Sequence, residues 1–439
     1  MRLLFFALLV IFSSLAANAQ FKNIKLAEAK AGDKFQPCEP SIAINLKDKN
    51  NIVVGVILDR IIYTEDGGTT WKDATVTSPF GVYGDPAVVS DSKGDFYFFH
   101  LADPSGEGRS NEAWLDRIVV NKSKDKGASW GEGFSIGHNP PKDQDKQWPV
   151  ISPKTGNIYV AWTQFDQYGS KDPACQSNIM FSKSANKGEK WSTPIILSQT
   201  PGDCIDDDNT AEGAVPAVSS DGKLFVAWSN QGKIFFDRSF DSGDTWLRND
   251  LAIFEHVGGW AMDIPGIMRA NGMPVLVCDN NPKSSASGML YLVWADQRNG
   301  KDNTDIFFSR SNNFGDNWTQ PTLINNDTSG KHQFFPWVTI DHKTGYIYTV
   351  FYDRREQDGN ATDVYLAYSI NAGISFTNVK ISETSFVPDE DVFFGDYTNI
   401  AAHDGVIAPV WTRMDEGKTS VWTTIIKHED LVKLAETKK

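Results

Sequence analysis

The chain has 439 residues, of which 40% are hydrophobic and 22% charged, and its formal net charge is −14 at pH 7. The acidic charge is spread along the sequence without a basic patch. This argues against nucleic acid or an anionic membrane as a partner, because both are bound through clustered lysines and arginines. Four cysteines are too few for a disulfide scaffold in a chain of this length. In an exported protein we expect Cys175 and Cys204 to pair.

The first nineteen residues have the pattern of a secretory signal peptide. Arg2 precedes an apolar run over residues 3–12, and residues 17–19 (Ala-Asn-Ala) fit a small-x-small cleavage site. The apolar run is too short to span a membrane, and no later segment offers about twenty uninterrupted apolar residues. We therefore predict cleavage after Ala19, no membrane insertion and a periplasmic or extracellular mature protein. Gln20 follows the cut, so no lipid-bearing cysteine is expected there.

An octapeptide pattern occurs six times along the chain. Each copy has Ser or Thr first, Asp or Asn third, Gly fifth and an aromatic residue eighth. The copies begin at Thr64, Ser123, Ser184, Ser239, Ser311 and Ser369, at intervals of 55 to 72 residues. In a hairpin turn, the Asp or Asn bonds nearby backbone amides, the Gly takes a positive φ and the aromatic packs beneath the next sheet. Six copies in register predict a series of antiparallel sheets.

A second repeat indicates the number of sheets. A proline precedes a short β-rich stretch at Pro40, Pro86, Pro149, Pro216, Pro265 and Pro336, and Asp396 stands at the seventh position. Each is followed by a turn and a strongly apolar strand. These strands are Asn51–Val56, Asp95–His100, Asn157–Thr163, Lys223–Ser229, Met289–Asp296, Gly345–Phe351 and Val406–Trp411. The sequence therefore predicts seven units.

The seventh unit ends near Ile426 with three strands and lacks the outermost one. Residues 21–26 (FKNIKL) resemble residues 376–381 (FTNVKI), the outer strand of the sixth unit. We therefore expect the N-terminal strand to complete the last sheet, since closure of a ring removes free sheet edges. The predicted fold is all-β: a seven-bladed β-propeller of four-stranded antiparallel sheets, closed by the N-terminal strand. We expect a single domain over residues 20–439.

The six octapeptides resemble the Asp box of the sialidase (BNR-repeat) superfamily, and the resemblance covers nearly the whole mature chain. It implies a carbohydrate substrate or ligand. Sialidases use a tyrosine nucleophile, a supporting glutamate, an aspartate acid/base and three arginines that clamp the substrate carboxylate. Tyr397 matches the setting of the nucleophile, Glu212 roughly that of the glutamate and Arg354 one arginine. Glu39 and Asn230 stand where the other two arginines are expected. Sialidases also resemble six-bladed rings, whereas this sequence predicts seven units. Exo-sialidase activity is therefore not expected.

In a four-stranded blade, the loop before the innermost strand and the loop between the second and third strands open on one face, opposite the octapeptide turns. We expect the functional side chains there, in a concave mouth with convergent polar groups. The candidate catalytic residues are Tyr397, Glu212, Asp85, Asp263 and Asp396. The candidate substrate-binding residues are Arg298, Arg354, Arg413, Glu39, His332 and Trp148. In the alternative interpretation, the Asp–Arg pairs of these loops only brace neighbouring blades.

Several acids on one face favour a glycoside hydrolase, because that chemistry needs two carboxyl groups flanking the scissile bond. A non-catalytic propeller that binds a glycan or protein through the same face is the alternative. A polysaccharide lyase is a third option, with His100, His332 or Tyr397 as the base beside an arginine that neutralises a uronate. None of these functions requires a cofactor, although residues 206–208 (Asp-Asp-Asp) could hold a structural Ca²⁺.

Overall fold

The computed structural model describes residues 21–437, so the predicted signal peptide and its cleavage site lie outside the described residues. The strands form seven antiparallel sheets arranged in a ring, which confirms the predicted seven-bladed β-propeller. The first strand of each sheet contacts the first strand of the next, and the seventh closes on the first. Within residues 21–437, no helix is long and apolar enough to cross a membrane.

The strands of blades 1 to 4 follow the chain from the axis outward. Blade 1 consists of Ser41–Asn45, Asp48–Val56, Arg60–Thr64 and Lys72–Thr75. Blade 2 consists of Tyr83–Ser90, Phe96–Leu101, Ile118–Ser123 and Phe134–Ile136, with a 3₁₀ turn at Gly108–Ser110. Blade 3 consists of Asp143–Ile151, Ile158–Phe165, Ser177–Ser184 and Ile195–Ile196. Blade 4 consists of Glu212–Val218, Leu224–Asn230, Lys233–Ser239 and Leu251–Glu255.

Blades 5 to 7 add a hairpin, a helix and the closing strand. Blade 5 consists of Val275–Cys278, Leu290–Asp296, Asp305–Ser311 and Thr322–Leu323. Blade 6 consists of Gln333–Asp341, Tyr346–Asp353, Asp363–Ser369 and Thr377–Lys380. Blade 7 consists of Asn399–His403, Val406–Asp415, Lys418–Thr423 and the N-terminal strand Ile24–Glu28, with Ile426–Lys427 beside its second strand. The helix His428–Thr437 follows.

One predicted repeat position is wrong. The innermost strand of blade 5 is Val275–Cys278, and Pro265 lies in a separate two-stranded hairpin, Ala261–Met262 and Ala270–Asn271, inserted between blades 4 and 5. We call this the inserted hairpin. Its proline and apolar residues imitate the repeat, but its strands pair only with each other in the described sheets. The insertion consequently moves Asp263 away from the entrance of an inner strand.

The N-terminal strand closes the ring as predicted. Ile24 pairs with Thr423 and Lys25 with Trp422 in the last sheet. Just before the strand, the Asn23 side chain donates a hydrogen bond of 2.8 Å to the carbonyl of Ile381, next to blade 6. The outer edge of blade 7 is therefore paired within the chain rather than left open.

The six octapeptide turns share one set of hydrogen bonds. In the first, the backbone N–H groups of Gly68 and Thr70 donate to the Thr64 hydroxyl and the Asp66 carboxylate, at 3.1 and 2.9 Å. The fifth-position glycines all have positive φ, between 76° and 96°. In the second strands, Trp162, Trp228, Trp294 and Trp411 are almost fully buried and supply much of the packing between blades. We call the side with the octapeptide turns the turn face and the opposite side the loop face.

A central cavity of about 850 Å³ runs along the innermost strands towards the turn face. Its lining extends from Trp148 and Trp337 to the turns that contain His342 and His403. The Trp148 ring lies 4.2 Å from Trp337 and 5.0 Å from Tyr397, centroid to centroid. These three aromatic side chains separate the cavity from the polar residues at the loop face.

Candidate active site

The innermost strands carry a repeated irregularity at their loop-face ends. Their pairing with the second strands shifts register between Tyr83 and Ala87, Asp145 and Trp148, Glu212 and Val215, and Phe334 and Trp337. Within each shift one residue has a positive φ: Asp85, Lys146, Gly213 and Phe335, at 54°, 52°, 72° and 49°. Such a bulge bends the strand and redirects a side chain. For residues other than glycine it costs about 1–3 kcal/mol, and such strain tends to cluster at functional sites.

A buried lysine connects three blades at the axis. The Lys146 Nζ atom of blade 3 lies 2.6 Å from the Asp396 Oδ2 atom, just before blade 7, and 3.5 Å from the Asp85 Oδ2 atom of blade 2. Its backbone N–H also donates to Asp85, at 3.1 Å. The three side chains are at most 8% exposed. Because removal of a charge from water is costly, this ammonium requires its carboxylate partners.

The inserted hairpin covers this group with an arginine. The Arg269 Nε atom donates to the Asp396 Oδ1 atom at 2.7 Å, and its Nη2 atom contacts the other oxygen of the same carboxylate. The Nη1 atom lies 3.0 Å from the Asp206 Oδ2 atom. The Asn271 side chain donates to the Asp396 carbonyl at 2.7 Å. A Cβ on Gly213 would lie 2.6 Å from the Trp260 ring, so this glycine permits the hairpin to pack on blade 4.

Asp206 links the axis to the surface. Its Oδ2 atom accepts a 2.6 Å hydrogen bond from the Tyr168 hydroxyl, and its Oδ1 atom accepts one of 3.0 Å from the Trp260 indole. The predicted disulfide between Cys175 and Cys204 is present and anchors the start of this segment. The carboxylates of Asp206 and Asp208 are already occupied by protein donors. Among the described residues, no three His, Cys, Asp or Glu side chains are grouped to hold a metal ion, and the structural Ca²⁺ stays a prediction.

We call Glu39, Asp85, Asp145, Asp206, Glu212, Asp396, Lys146 and Arg269 the axial cluster. Five of its six carboxyl groups have shifted pKa values, in two opposite directions. Burial raises the pKa of Asp396 and Asp206, but the nearby Arg269 and Lys146 outweigh it, and both pKa values lie below the usual range. In Glu39, Asp145 and Glu212, burial raises the pKa well above its ordinary value and neighbouring carboxylates add to the effect. The cluster therefore places carboxyl groups that favour the ionised form next to carboxyl groups that favour the protonated form.

Glu212 and Tyr397 are buried with few polar partners. Within the described part of the chain, the Tyr397 hydroxyl has no hydrogen-bond partner, and the Glu212 carboxyl group finds one only in another carboxyl group, that of Asp206, a bond that requires a proton on one of the two. Burial raises the pKa of the Tyr397 hydroxyl well above 10, with Glu39 and Asp85 contributing. These surroundings disfavour the phenolate form. Among residues 21–437, no base or cation directly contacts the Tyr397 hydroxyl to activate it as the predicted nucleophile.

Two of the three predicted substrate arginines brace blades instead. The Arg298 guanidinium makes two hydrogen bonds to the buried Asp296 carboxylate, at 2.9 and 2.7 Å, and packs on Phe307. Arg413 likewise binds Asp415 at 2.6 and 2.8 Å. These contacts correspond to the structural alternative considered for the Asp–Arg pairs. Their side chains are committed to neighbouring carboxylates and are not free to clamp a substrate.

Arg354 and His332 form a separate buried pair. The Arg354 Nε atom donates to the Thr362 hydroxyl at 3.1 Å, but its Nη2 atom has no partner among the described residues. No carboxylate forms an ion pair with this guanidinium in the described part of the chain, and burial lowers its pKa to about 10. The backbone N–H of Arg354 donates to the carbonyl of His332 at 3.1 Å. Burial, followed by the Arg354 charge, lowers the pKa of His332 and keeps its imidazole neutral.

Three other candidates lie outside the axial cluster. Asp263, near the tip of the inserted hairpin, is 75% exposed and lies 3.4 Å from the Lys301 ammonium. Asp263 was expected just before an innermost strand, and the structure places it in the inserted hairpin instead. His100 is buried in blade 2, where both ring nitrogens have partners, Leu101 and Asn121, and burial lowers its pKa to about 4. Trp148 lies below the axial cluster and closes the central cavity.

The sequence interpretation missed four members of this site: Asp145, Lys146, Tyr168 and Arg269. Asp206 was placed on the loop face and considered as a calcium ligand, without a catalytic role. Lys146 and Asp85 occupy the same bulge position in their blades, but Asp85 directly precedes a proline, whereas Pro149 follows Lys146 by three residues. Arg269 lies in the inserted hairpin, outside the repeat. The Asp145-Lys146 pair before a predicted inner strand was the available signal for a buried charge.

No family model and no curated protein matches this chain. Solved structures share its fold at low identity. A PL25 ulvan lyase bound to -[GlcA(1-4)Rha3S]- is 12% identical, with a TM-score of 0.55 over 93% of this chain and 96% of its own. The GH93 alpha-L-arabinofuranosidase of Fusarium graminearum in complex with arabinobiose is 12% identical, with a TM-score of 0.50 over 93% and 98%. A Hadza microbial sialidase is 14% identical, with a TM-score of 0.46 over 86% and 73%. At these identities the similarity shows the β-propeller fold alone.

Proposed function

We propose that this protein is a glycan-active enzyme, a glycoside hydrolase that works through the axial cluster. The observation that carries the proposal is the group of buried carboxyl groups around Lys146 and Arg269, whose pKa values are shifted in opposite directions. Glycoside hydrolysis needs one carboxylic acid and one carboxylate, and sites that hold neighbouring carboxyl groups at different pKa values supply both. The similarity to carbohydrate-active propellers supports the proposal at the level of fold.

Glu212 and Asp206 are the pair that we assign to the reaction. Asp206 is the carboxylate that most raises the pKa of Glu212 after burial, so the two groups are close neighbours. The protonated Glu212 would donate its proton to the glycosidic oxygen as the C–O bond breaks. The ionised Asp206, steadied by Arg269, would stabilise the positive charge that develops on the sugar, and a water molecule would complete hydrolysis and restore the Glu212 proton. Asp396 would hold Arg269 in place.

Substrate access to these acids requires displacement of the inserted hairpin. Glu212 is fully buried, and Trp260 and Arg269 of the hairpin bind Asp206 directly. A hairpin that is tied to the ring by side-chain contacts can open without breaking a blade, and closure would exclude water from the reaction.

The test compares turnover of oligosaccharides by the mature protein and by Glu212→Gln, Asp206→Asn and Asp404→Asn. Asp404 lies in a turn-face loop, where its carboxylate binds Lys49 at 2.8 Å, and serves as the matched control. We expect the first two variants to lose about 10²–10⁴-fold in kcat, and the control to retain it, with circular dichroism confirming that all are folded. Unchanged turnover in Glu212→Gln and Asp206→Asn would refute the assignment.

A polysaccharide lyase is a second candidate, favoured by Arg354 and His332. A lyase requires a neutral base and a cation that neutralises a uronate, and here a neutral imidazole lies near a guanidinium without a carboxylate partner. The products separate the two reactions, because a lyase leaves an unsaturated uronate that absorbs ultraviolet light and a hydrolase does not. Absorbance that develops with turnover and is lost in His332→Ala would replace the first proposal with this one.

We also propose that the protein is exported and acts as one domain. This proposal rests on the signal-peptide pattern of residues 1–19. N-terminal sequencing of protein recovered from the periplasm or medium should begin at Gln20. Recovery of full-length chain only from the cytoplasm would contradict export.

A further inference from the structure

A second polar cavity lies on the loop face, away from the axis. It has a volume of about 270 Å³ and lies between blades 1 and 2, with Lys34, Phe35, Asp59, Arg60, Tyr83 and Asp103 in its lining. Ligand pockets span about 300–1,000 Å³, so this cavity is near the lower limit and suits one sugar ring rather than a chain. Nothing in the reaction assigned above uses these residues.

The cavity adjoins the axial cluster through two short stretches of chain. Pro37 and Tyr83 line the cavity, and the residues two positions further on, Glu39 and Asp85, belong to the cluster. Successive residues of an extended chain advance by about 3.3 Å, so the residues of each pair are at most about 7 Å apart, between one and two sugar units. A ring in the cavity would therefore lie close to the edge of the axial cluster.

Aromatic side chains continue from the cavity to Asp206. Ring centroids are 5.8 Å apart from Phe35 to Tyr83, 5.9 Å from Tyr83 to Trp114 and 6.1 Å from Trp114 to Tyr168. The Tyr168 hydroxyl then donates to Asp206. The three ring pairs are edge to face and Trp114 is only 9% exposed, so Phe35 and Tyr83 are the rings of this row that a sugar in the cavity would contact. The row spans blades 1 to 3 and ends at the one carboxylate that links the axial cluster to the surface.

Two guanidinium groups along this path form no ion pair with a carboxylate in the described part of the chain. Arg109 is exposed, and its guanidinium carbon lies 5.4 Å from the Trp114 ring and 5.0 Å from the Tyr168 ring. Within residues 21–437, neither Arg109 nor Arg60 forms a side-chain hydrogen bond or ion pair. Asp59 is also without a side-chain partner in that range, whereas the Asp103 carboxylate accepts backbone N–H groups of its own loop at 3.0 and 2.9 Å. Asp143, which feels the Arg109 charge, has its pKa raised by burial and accepts the Tyr168 N–H.

We propose that the cavity and the aromatic row bind an acidic oligosaccharide, with a sugar ring in the cavity beside Phe35 and Tyr83 and a uronate carboxylate held by Arg109. The planar guanidinium matches a carboxylate through two parallel hydrogen bonds, and the two aromatic rings fix its position before the ligand arrives. Arg60 and Asp59 bind hydroxyl groups of the ring in the cavity. This inference rests on the proposed function, because it places the substrate beside Asp206 and Glu212.

Calorimetric binding to the Glu212→Gln protein tests the proposal. The probes are trisaccharides from alginate, pectate and glucuronan, which carry carboxylates, with galactotriose as a neutral probe and a sulfated galactan trisaccharide as a second anion. We expect at least one uronate trisaccharide to bind at least tenfold more tightly than the neutral and sulfated probes. Equal binding of all probes, a preference for sulfate or no binding would overturn the proposal.

Substitutions locate the binding. Arg109→Gln should weaken uronate binding at least tenfold, Arg109→Lys should restore part of it, and Tyr83→Ala should weaken binding of charged and neutral sugars alike. Arg248→Gln, at another exposed arginine in the outer turn of blade 4, is the matched control and should bind as before. Uronate affinity that is unaffected by Arg109→Gln would contradict the proposed contact, whatever the result for Tyr83→Ala.

The acidic-sugar binding site and the proposed hydrolase activity can be refuted independently of each other. Saturable uronate binding without cleavage by the unmodified protein would remove the proposed hydrolase and leave this binding site intact. Cleavage of neutral glycans, with kcat/KM unchanged in Arg109→Gln, would keep the hydrolase and remove the acidic-sugar site.

Discussion

Charged side chains near the axis and those between the outer strands are paired in different ways. Between outer strands, the Arg298, Arg355 and Arg413 guanidiniums each bind one carboxylate two residues away and pack on an aromatic ring. In the axial cluster, six carboxyl groups surround Lys146 and Arg269. Matched pairs satisfy each other and need no ligand. Where buried carboxyl groups outnumber the cations beside them, the pKa of some carboxyl groups rises, and these groups can then act as proton donors.

Substitution of the axial lysine should give the largest effect. Lys146→Met leaves the buried Asp85 and Asp396 carboxylates without their shared cation, and we expect a loss of about 3–5 kcal/mol in the free energy of unfolding. Urea denaturation measures it. Lys49→Met, at an exposed pair with Asp404, is the control and should cost at most about 1 kcal/mol. Similar losses in the two variants would remove the distinction between axial and surface charges.

Substitution of an outer arginine should cost less and spare function. Arg355 makes two contacts with the fully buried Asp353 carboxylate, at 2.8 and 2.7 Å, and its backbone N–H also donates to Asp353. Because that backbone bond survives, Arg355→Met should lose about 1–3 kcal/mol of stability. Turnover per folded molecule should not change. Reduced kcat in a fully folded Arg355→Met protein would show that the outer pairs also serve the reaction.

The buried acids with raised pKa values should make the free energy of unfolding depend on pH, which is a smaller effect. The usual pKa of a glutamate is near 4.5, and that of Glu212 in the folded protein is well above it. The folded protein therefore retains a proton that the unfolded chain releases, so this stabilisation is complete below pH 4.5 and is lost as pH rises towards the folded pKa. Between pH 5 and pH 8, stability measured by denaturation should fall less for Glu212→Gln than for the unmodified protein. An identical pH dependence in the two proteins would contradict a raised Glu212 pKa.

The fold was predictable because its signals recur. The octapeptides fix the turns between outer strands, the apolar second strands recur once per blade, and residues 21–26 copy an outer strand, which located the closure of the ring. The disulfide between Cys175 and Cys204 was also predicted. Repetition failed at Pro265, where the inserted hairpin imitates the start of a blade.

The site was predictable only in part, because its side chains meet across blades. Glu39, Asp85, Glu212, Asp396 and Tyr397 were identified from their positions before inner strands and do come together. Lys146 was missed because Pro149 follows it by three residues, whereas Asp85 directly precedes its proline, and Arg269 was missed because it reaches the axis from outside the repeat. Arg298 and Arg413 have the residue type of substrate clamps, but the carboxylates two positions away engage them. The sequence does not distinguish an arginine that holds two blades together from one that binds substrate. The contacts in the folded structure do.

We expect protonated and ionised carboxyl groups to coexist in the axial cluster at neutral pH. Infrared spectroscopy of the protein at pH 7 tests it directly, because a protonated carboxyl group and a carboxylate absorb at different frequencies. We predict a protonated-carboxyl band that decreases in Glu212→Gln and persists in Asp396→Asn. Absence of that band in the unmodified protein, or its loss in Asp396→Asn but not in Glu212→Gln, would contradict the account.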